Sequence, residues 1–282
     1  MPHLETFHQT SDGEKLYLQA WEPETPRKGA VLIVHGLGEH SGRYAHFAAY
    51  LNQSGYAVYT FDGRGHGKSS LPSPTAYFAS VEDYLKDIDD LFHKMKKYVE
   101  GVPCFIFGHS MGGGLVTQYV LNYQPALNGV LLSGSALLPG DDISPFLIKI
   151  STFMSKVAPK LRAVKLDSSH LSHDPEVMQK YNADELVYSK GIPARTGAEL
   201  IAMMNTIQAN MTKFDAPVLI MHGTEDHLTN IKGSEMLYEK ASSIDKTLKL
   251  YEGFYHEILN EVEKETVMKD IVDWMNNRLT NA

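Results

Sequence analysis

The feature that most constrains this chain is an apolar run, Val102-Pro103-Cys104-Phe105-Ile106-Phe107, that stops abruptly at Gly108-His109-Ser110-Met111-Gly112-Gly113-Gly114. A short, aromatic, uninterrupted run reads as a buried strand. The residues that follow, Leu115 to Tyr123, are helix formers with no breaker before Pro125. Ser110 therefore falls at a strand-to-helix turn, the context that a G-x-S-x-G nucleophile elbow requires. So sharp a turn brings strand and helix backbones together two residues either side of the serine, and glycine at 108 and 112 leaves the room. The helix beginning at Met111 aims its free N–H groups and positive end at the same point, which suits an oxygen that becomes negative during acyl transfer. A glycine-rich helix start used only for packing would show the same five residues, so the rest of the catalytic set has to be found elsewhere.

The surrounding chain alternates strands with helices. Leu4 to Gln9 and Lys15 to Trp21 flank the turn signal Ser11-Asp12-Gly13 as an opening hairpin. Ala30 to Val34 ends in His35-Gly36-Leu37-Gly38, and Tyr56 to Phe61 ends in Asp62-Gly63-Arg64-Gly65-His66-Gly67, a tight turn; helix-like sequence from Arg43 to Gln53 separates them. Further strands are expected at Gly129 to Leu132, Pro217 to Met221 and Thr247 to Tyr251, with a closing helix from Glu261 to Asn277. Continuous apolar strands alternating with helices predict an α/β fold with a mostly parallel central sheet covered by helices on both faces. Between residues 138 and 205 the alternation fails and Pro139, Pro145, Pro159, Pro175 and Pro193 punctuate helical sequence. We expect a core formed by residues 1–137 and 206–282, with 138–205 inserted as a helical cap. Within the cap, Phe146, Ile150, Phe153, Met154, Val157 and Leu161 follow helical spacing, and Leu147, Ile148 and Ala158 widen the apolar surface beyond one stripe. Such a helix either lines a cavity while covering the core or is simply buried.

A length of 282 residues with 43% hydrophobic content suits one large domain with an insertion. No stretch approaches the roughly 20 apolar residues of a membrane span, and the N-terminus, with Glu5, His8 and Asp12, lacks a signal peptide's regions, so a soluble cytoplasmic protein is expected. A net charge of −8 argues against nucleic acid and against electrostatic docking on anionic membranes. The single cysteine, Cys104, excludes an internal disulfide and reads as a core thiol. No H-E-x-x-H, P-loop or dinucleotide fingerprint is present, so neither metal nor cofactor is expected. Composition says nothing of oligomeric state.

In open parallel sheets the ligand crevice lies beyond the carboxyl ends of the strands. Two strand ends carry suitable groups: His222-Gly223-Thr224-Glu225-Asp226-His227 and Glu252-Gly253-Phe254-Tyr255-His256-Glu257. The resulting order of Ser110, Asp226 and His256 is that of the α/β-hydrolase fold. Ser110 would attack an acyl carbon, His256 would accept and return its proton, and Asp226 would fix the imidazole tautomer, with Glu225 as substitute acid. His93, His170 and His173 lie away from strand ends. His35, His66, His109 and His222 belong to glycine-rich turns where a structural hydrogen bond is the expected role. The second oxyanion donor should come from the turn after the early strand, pairing Leu37 N–H with Met111 N–H.

Five motifs, HGLGEHSGRY from His35, FDGRGHGKS from Phe61, GHSMGGG from Gly108, HGTEDHLT from His222 and YEGFYHEILNE from Tyr251, together resemble the monoacylglycerol lipase family, within the serine-aminopeptidase-like or lysophospholipase-like hydrolases. The similarity runs in register from about Trp21 to Trp274 and includes the cap segment LDSSHLSHDPEVMQKYNADEL. The resemblance implies a cap with an apolar tunnel for one acyl chain and a narrow polar end for glycerol, the triad Ser110, Asp226 and His256, the oxyanion donors Leu37 and Met111, and Glu39, Arg43 and Tyr181 as the polar neighbourhood. By spacing alone, Glu39 and Arg43 form an i,i+4 ion pair. Leu37 stands where animal members carry a smaller side chain, which bears on pocket size, and Thr229 stands where they carry a thiol, so thiol-directed inhibition there should be absent. The implied substrate is a small lipid ester, with transient peripheral membrane contact through an apolar cap. A lysophospholipase or general carboxylesterase is the alternative of the same fold. An aminopeptidase-like amidase would need an acidic pocket for an ammonium group, which no matching constellation supplies, and a non-catalytic receptor would show a lost triad member.

Overall fold

Residues 30–34, 104–109, 129–133 and 218–223 are buried throughout, and in each strand successive side chains point to opposite faces. Ala30, Leu32, Val34, Ile106, Val130, Leu132, Val218 and Ile220 share one core. Val31, Ile33, Phe105, Phe107, Leu131, Leu219 and Met221 share the other. A sheet apolar on both faces must be covered twice, and the computed structural model, which describes residues 2–139, 153–164 and 168–279, shows this.

The strands are β1 (His3–Gln9), β2 (Lys15–Trp21), β3 (Gly29–Val34), β4 (Tyr56–Phe61), β5 (Cys104–His109), β6 (Gly129–Ser133), β7 (Arg162–Val164), β8 (Ile192–Pro193), β9 (Val218–Gly223) and β10 (Lys246–Tyr251). Eight of them form one sheet in the order β1-β2-β4-β3-β5-β6-β9-β10. The β1–β2 hairpin and the β2–β4 pair are antiparallel and all other neighbours are parallel, the α/β-hydrolase arrangement that the sequence leads one to expect. Helices α1 (Ala45–Gln53) and α7 (Lys264–Asn276) cover one face through Phe47, Leu51, Val267, Ile271 and Met275. Helices α2 (Val81–Tyr98), α3 (Met111–Tyr123) and α5 (Ala194–Asn210) cover the other through Tyr84, Ile88, Leu115, Tyr119, Met203 and Ile207. Helix α6 (Ile231–Lys240) sends Leu237 to that second core.

Register sets what the carboxyl end of the sheet presents. Val34 lies opposite Gly108, His109 opposite Ser133, Ser133 opposite Met221, and Tyr251 opposite Gly223. The turns after β3, β5, β9 and β10, which hold the candidate residues, therefore emerge at one level.

Some boundaries differ from the sequence expectation. β5 begins at Cys104, after Pro103, which has no N–H for a ladder. Residues 41–44 form a 3₁₀ turn before α1. The closing helix begins at Lys264, since the buried Glu261 carboxylate accepts the N–H groups of Tyr255 and His173.

In the inserted region, β7 pairs with β8, and α4 (Pro175–Ala183) starts with Pro175 after an Asp174 cap that accepts Glu176 N–H at 2.9 Å. Residue 205 lies inside α5, whose Leu200, Met203 and Ile207 belong to the sheet core. Of the apolar cap residues, Phe146, Leu147, Ile148 and Ile150 lie outside the described residues; Phe153, Val157 and Leu161 are 64%, 61% and 49% exposed.

A Cβ at Gly112 would meet Val34 O at 2.1 Å and His35 O at 2.6 Å, both backbone. Gly112→Ala should therefore cost about 3 kcal/mol, because α3 would have to leave β3. Gly101, at φ +84° with nothing within 4 Å of an added methyl group, is the control for backbone strain alone. Thermal unfolding should fall by roughly 6–12 °C for Gly112→Ala and by much less for Gly101→Ala; equal losses would show that close approach is not the constraint.

Candidate active site

Ser110 has φ 55° and ψ −119°, a strained conformation for a residue with a side chain. Its N–H donates to Ser133 O at 2.9 Å, and its carbonyl accepts from Gly114 N–H at 3.1 Å and Ala136 N–H at 3.0 Å. Those bonds tie the elbow to the end of β6. The glycine at 108 is required as expected, since a Cβ there would lie 2.5 Å from Gly112 O.

The turn after β3 passes directly beside the serine: a Cβ on Gly36 would lie 3.2 Å from Ser110 Cβ. Met111 N–H opens α3, where no intrahelical acceptor exists. Among the described residues no acceptor takes Leu37 N–H. The turn is held by Glu39, whose Oε1 accepts Gly36 N–H at 2.6 Å and Tyr44 O–H at 2.7 Å. The cap segment bears on it too, with Tyr188 N–H donating to Gly38 O at 2.7 Å and His40 Nε2 2.8 Å from Asp184 Oδ2.

Arg43 bridges two turns. Nη1 donates to Glu39 Oε2 at 2.8 Å, and both Nη atoms fork onto the Glu257 carboxylate at 2.6 Å. All three side chains are nearly buried, and the Tyr181 ring lies 4.8 Å from the guanidinium carbon. Burial opposes charge on Glu39 and on Arg43. Arg43 overcomes it for the carboxyl, which lies well below the usual range, and Glu257 with Glu39 does so for the guanidinium, which stays protonated. The ion pair read from the i,i+4 spacing thus exists, but it is internal and shared with Glu257, which sequence reading missed. Glu257 adjoins His256, yet its partner lies 214 residues away in the chain. Spacing cannot show that.

His256 Nδ1 lies 2.7 Å from Asp226 Oδ2. Asp226 Oδ1 accepts the N–H groups of Leu228 at 2.7 Å and Thr229 at 3.0 Å, while Oδ2 also meets Thr229 Oγ1 at 2.8 Å and His222 Nε2 at 3.0 Å. Glu225, the substitute acid, gives its N–H to Phe254 O, and the bond to His256 is made by Asp226. A carboxylate only accepts, so His256 carries its proton on Nδ1 and leaves Nε2 as a base. Burial opposes the charged forms of both partners, but their mutual attraction prevails: Asp226 is held far below the ordinary carboxylate range and His256 is raised above the ordinary 6.5. His109, with its ring 4.7 Å from that of His256, is pushed down to about 4, first by burial and then by His256. His35 and His109 make the structural hydrogen bonds expected of them, Gly63 N–H donating to His35 Nε2 at 2.9 Å and His109 Nδ1 lying 3.1 Å from Ser133 O.

Ser110 and His256 line one cavity of about 40 Å³ with Gly36, Leu37, Glu39, His109, Tyr181 and Glu257. Arg43 is not among its lining residues. Burial raises the Tyr181 phenol to about 12, so it stays a neutral donor. Chemically, the cavity joins a strained hydroxyl, an imidazole bonded to a buried acid, the turn that carries Leu37 and a polar end. Among the described residues, no group of three or more His, Cys, Asp or Glu side chains converges as metal ligands would.

Residues 25–263 match the family described as serine aminopeptidase, S33. A monoacylglycerol lipase from Mycolicibacterium smegmatis is 33% identical over 267 residues, covering 95% of this chain and 95% of that protein. The crystal structure of Paleococcus ferrophilus monoacylglycerol lipase superposes with a TM-score of 0.83 at 34% identity, over 93% of this chain and 99% of that one. A soluble variant of monoglyceride lipase from Saccharomyces cerevisiae, in complex with a substrate analog, gives a TM-score of 0.88 at 26% identity, over 98% and 96%. By family match, identity and coverage, the chain belongs to the serine aminopeptidase S33 family of α/β-hydrolases, in its monoacylglycerol lipase branch.

Proposed function

We propose that this protein is a serine hydrolase that cleaves monoacylglycerols to a free fatty acid and glycerol. The observation that carries the reading is His256, held 2.7 Å from Asp226 and lining the same small cavity as the strained Ser110. Ser110 Oγ attacks the ester carbonyl carbon while His256 Nε2 takes its proton. Leu37 N–H and Met111 N–H stabilise the resulting oxyanion. Collapse breaks the C–O bond, His256 returns the proton to the departing glycerol oxygen, and an acyl-Ser110 ester remains. Water, deprotonated by His256, then attacks that ester, and its collapse frees the acid and restores Ser110. Relatives named for monoacylglycerol hydrolysis support this substrate class.

At the glycerol end we place Tyr181 and Glu39, with Glu257 added, on the cavity wall and Arg43 behind them as the cation that holds the carboxylates. Because Arg43 claims both carboxylates, they are poorly disposed to bind a substrate's ammonium group, which weighs against an aminopeptidase. The cap (residues 138–205) would admit one acyl chain, and its exposed Phe153, Val157 and Leu161 would touch membranes transiently from the cytoplasm. No helix among the described residues is long and apolar enough to cross a membrane.

The test compares kcat/KM for a monoacylglycerol and the methyl ester of the same acid, with Ser110→Ala as an inactive control. Wild type should prefer the monoacylglycerol, and Tyr181→Phe should lower that preference about fivefold, the worth of one hydrogen bond of about 1 kcal/mol. If wild type treats the two esters alike, the enzyme is a general carboxylesterase.

The acid limb of kcat/KM should lie above pH 6.5, because Asp226 raises His256 and only neutral His256 is a base. Activity is then full above the limb and lost as pH falls through it. A limb well below 6.5 would contradict His256 as the base.

Membrane contact should be apolar, given a net charge of −8. Vesicle co-sedimentation should change little with salt and should drop for Phe153→Ser, Val157→Ser; equal binding by wild type and variant removes the idea.

A further inference from the structure

His222 is fully buried near the end of β9, and the reaction above gives it no task. Its Nε2 lies 3.0 Å from Asp226 Oδ2, and its Nδ1 lies 2.8 Å from Oγ of Ser234, a buried residue of α6. For the neutral ring, its partners set the tautomer. The carboxylate only accepts, so Nε2 carries a hydrogen; in a neutral ring Nδ1 then accepts, and the Ser234 hydroxyl is the donor it needs. Both ring nitrogens are satisfied in that tautomer.

Asp226 Oδ2 is thereby shared among His256 Nδ1 at 2.7 Å, Thr229 Oγ1 at 2.8 Å and His222. Thr229 has one hydroxyl proton and two acceptors within reach, Asp226 Oδ2 and Gly134 O at 2.9 Å. It cannot serve both at once. Among the described residues, His222 is therefore the one fixed side-chain donor on that oxygen besides His256.

We propose that His222 is a positioning residue for proton transfer at His256, acting through Asp226: it pins the shared oxygen in line with Nδ1 and draws part of the carboxylate's charge away from the imidazole. The proposal rests on the serine-hydrolase reading and deepens it. Its sign is definite. With His222 absent, Asp226 is a stronger acceptor for His256, the imidazolium is stabilised, and proton return to the leaving group becomes harder. The other groups facing the pair, His109, Glu39 and Glu257 with its Arg43 counter-ion, are untouched by the change.

The experiment measures kcat/KM against pH for a short-chain monoacylglycerol, whose glycerol oxygen needs the returned proton, normalised to sites labelled by a fluorophosphonate probe. In His222→Leu the acid limb should move up by about half a pH unit and kcat should fall about tenfold with KM within about twofold, while His222→Gln, whose amide can donate to Asp226 and accept from Ser234, should restore the limb. Ser234→Ala, which removes the donor to Nδ1, should move the limb the same way and serves where His222→Leu does not fold. A limb that stays at the wild-type position in the variants that fold overturns the proposal, however far activity drops. A wild type that neither turns over the ester nor takes the probe overturns instead the hydrolase reading beneath it.

Discussion

The backbone of α3 passes so close to the end of β3 that a methyl group on Gly112 would lie 2.1 Å from Val34 O. That approach leaves no gentle route from β5 into the helix, and Ser110 takes up the difference at φ 55°. A side-chain residue stays in such a conformation only where its surroundings over-determine it. Here Ser133 O, Gly114 N–H and Ala136 N–H do so, through three backbone bonds that do not depend on any side chain. Since β3, β5 and β6 are neighbours in the sheet, the packing that strains Ser110 also lays Gly36 against it. The exposed serine and the turn laid beside it are thus consequences of a single contact.

A second constraint joins what the sheet alone does not. The turn after β3 and the turn after β10 stand on strands separated by three others, yet Arg43 binds Glu39 on the first and Glu257 on the second. A buried ion network of this kind adds little net stability over apolar packing, whereas breaking it by removing one member costs about 3–5 kcal/mol. Its value lies in geometry. Glu39 fixes Gly36 N–H, Glu257 follows His256, and the guanidinium fork sets the distance between them.

The parallel sheet, the hairpin and the elbow were legible because each is written locally: apolar runs of five or six residues, a Ser-Asp-Gly turn, and glycines two residues either side of Ser110. Asp226 and His256 were legible as strand-end groups, and the structure brings them to 2.7 Å from one another. What local pattern could not carry were partners distant in sequence. His222 reads as one more histidine in a glycine-rich turn; its contact with Asp226 depends on how the loop after β9 folds back. Glu257 has no role that its neighbours in the sequence reveal, because its partner Arg43 lies 214 residues away. The start of α7 was misplaced for a related reason, because Glu261 looks like a first helical residue but is held by Tyr255 and His173.

Burial also acts differently on the imidazoles that crowd this site. His35, His66, His109 and His256 are all buried, and burial alone disfavours the charged form of each. His66 falls to about 3 and His109 to about 4, since neither has a carboxylate in contact. His256 has Asp226 at 2.7 Å, and that attraction reverses the direction of its shift. Once His256 gains a proton, its charge acts on His109 next to it and lowers it further. The acid therefore does more than orient the ring: its attraction raises His256 where burial lowers His35, His66 and His109.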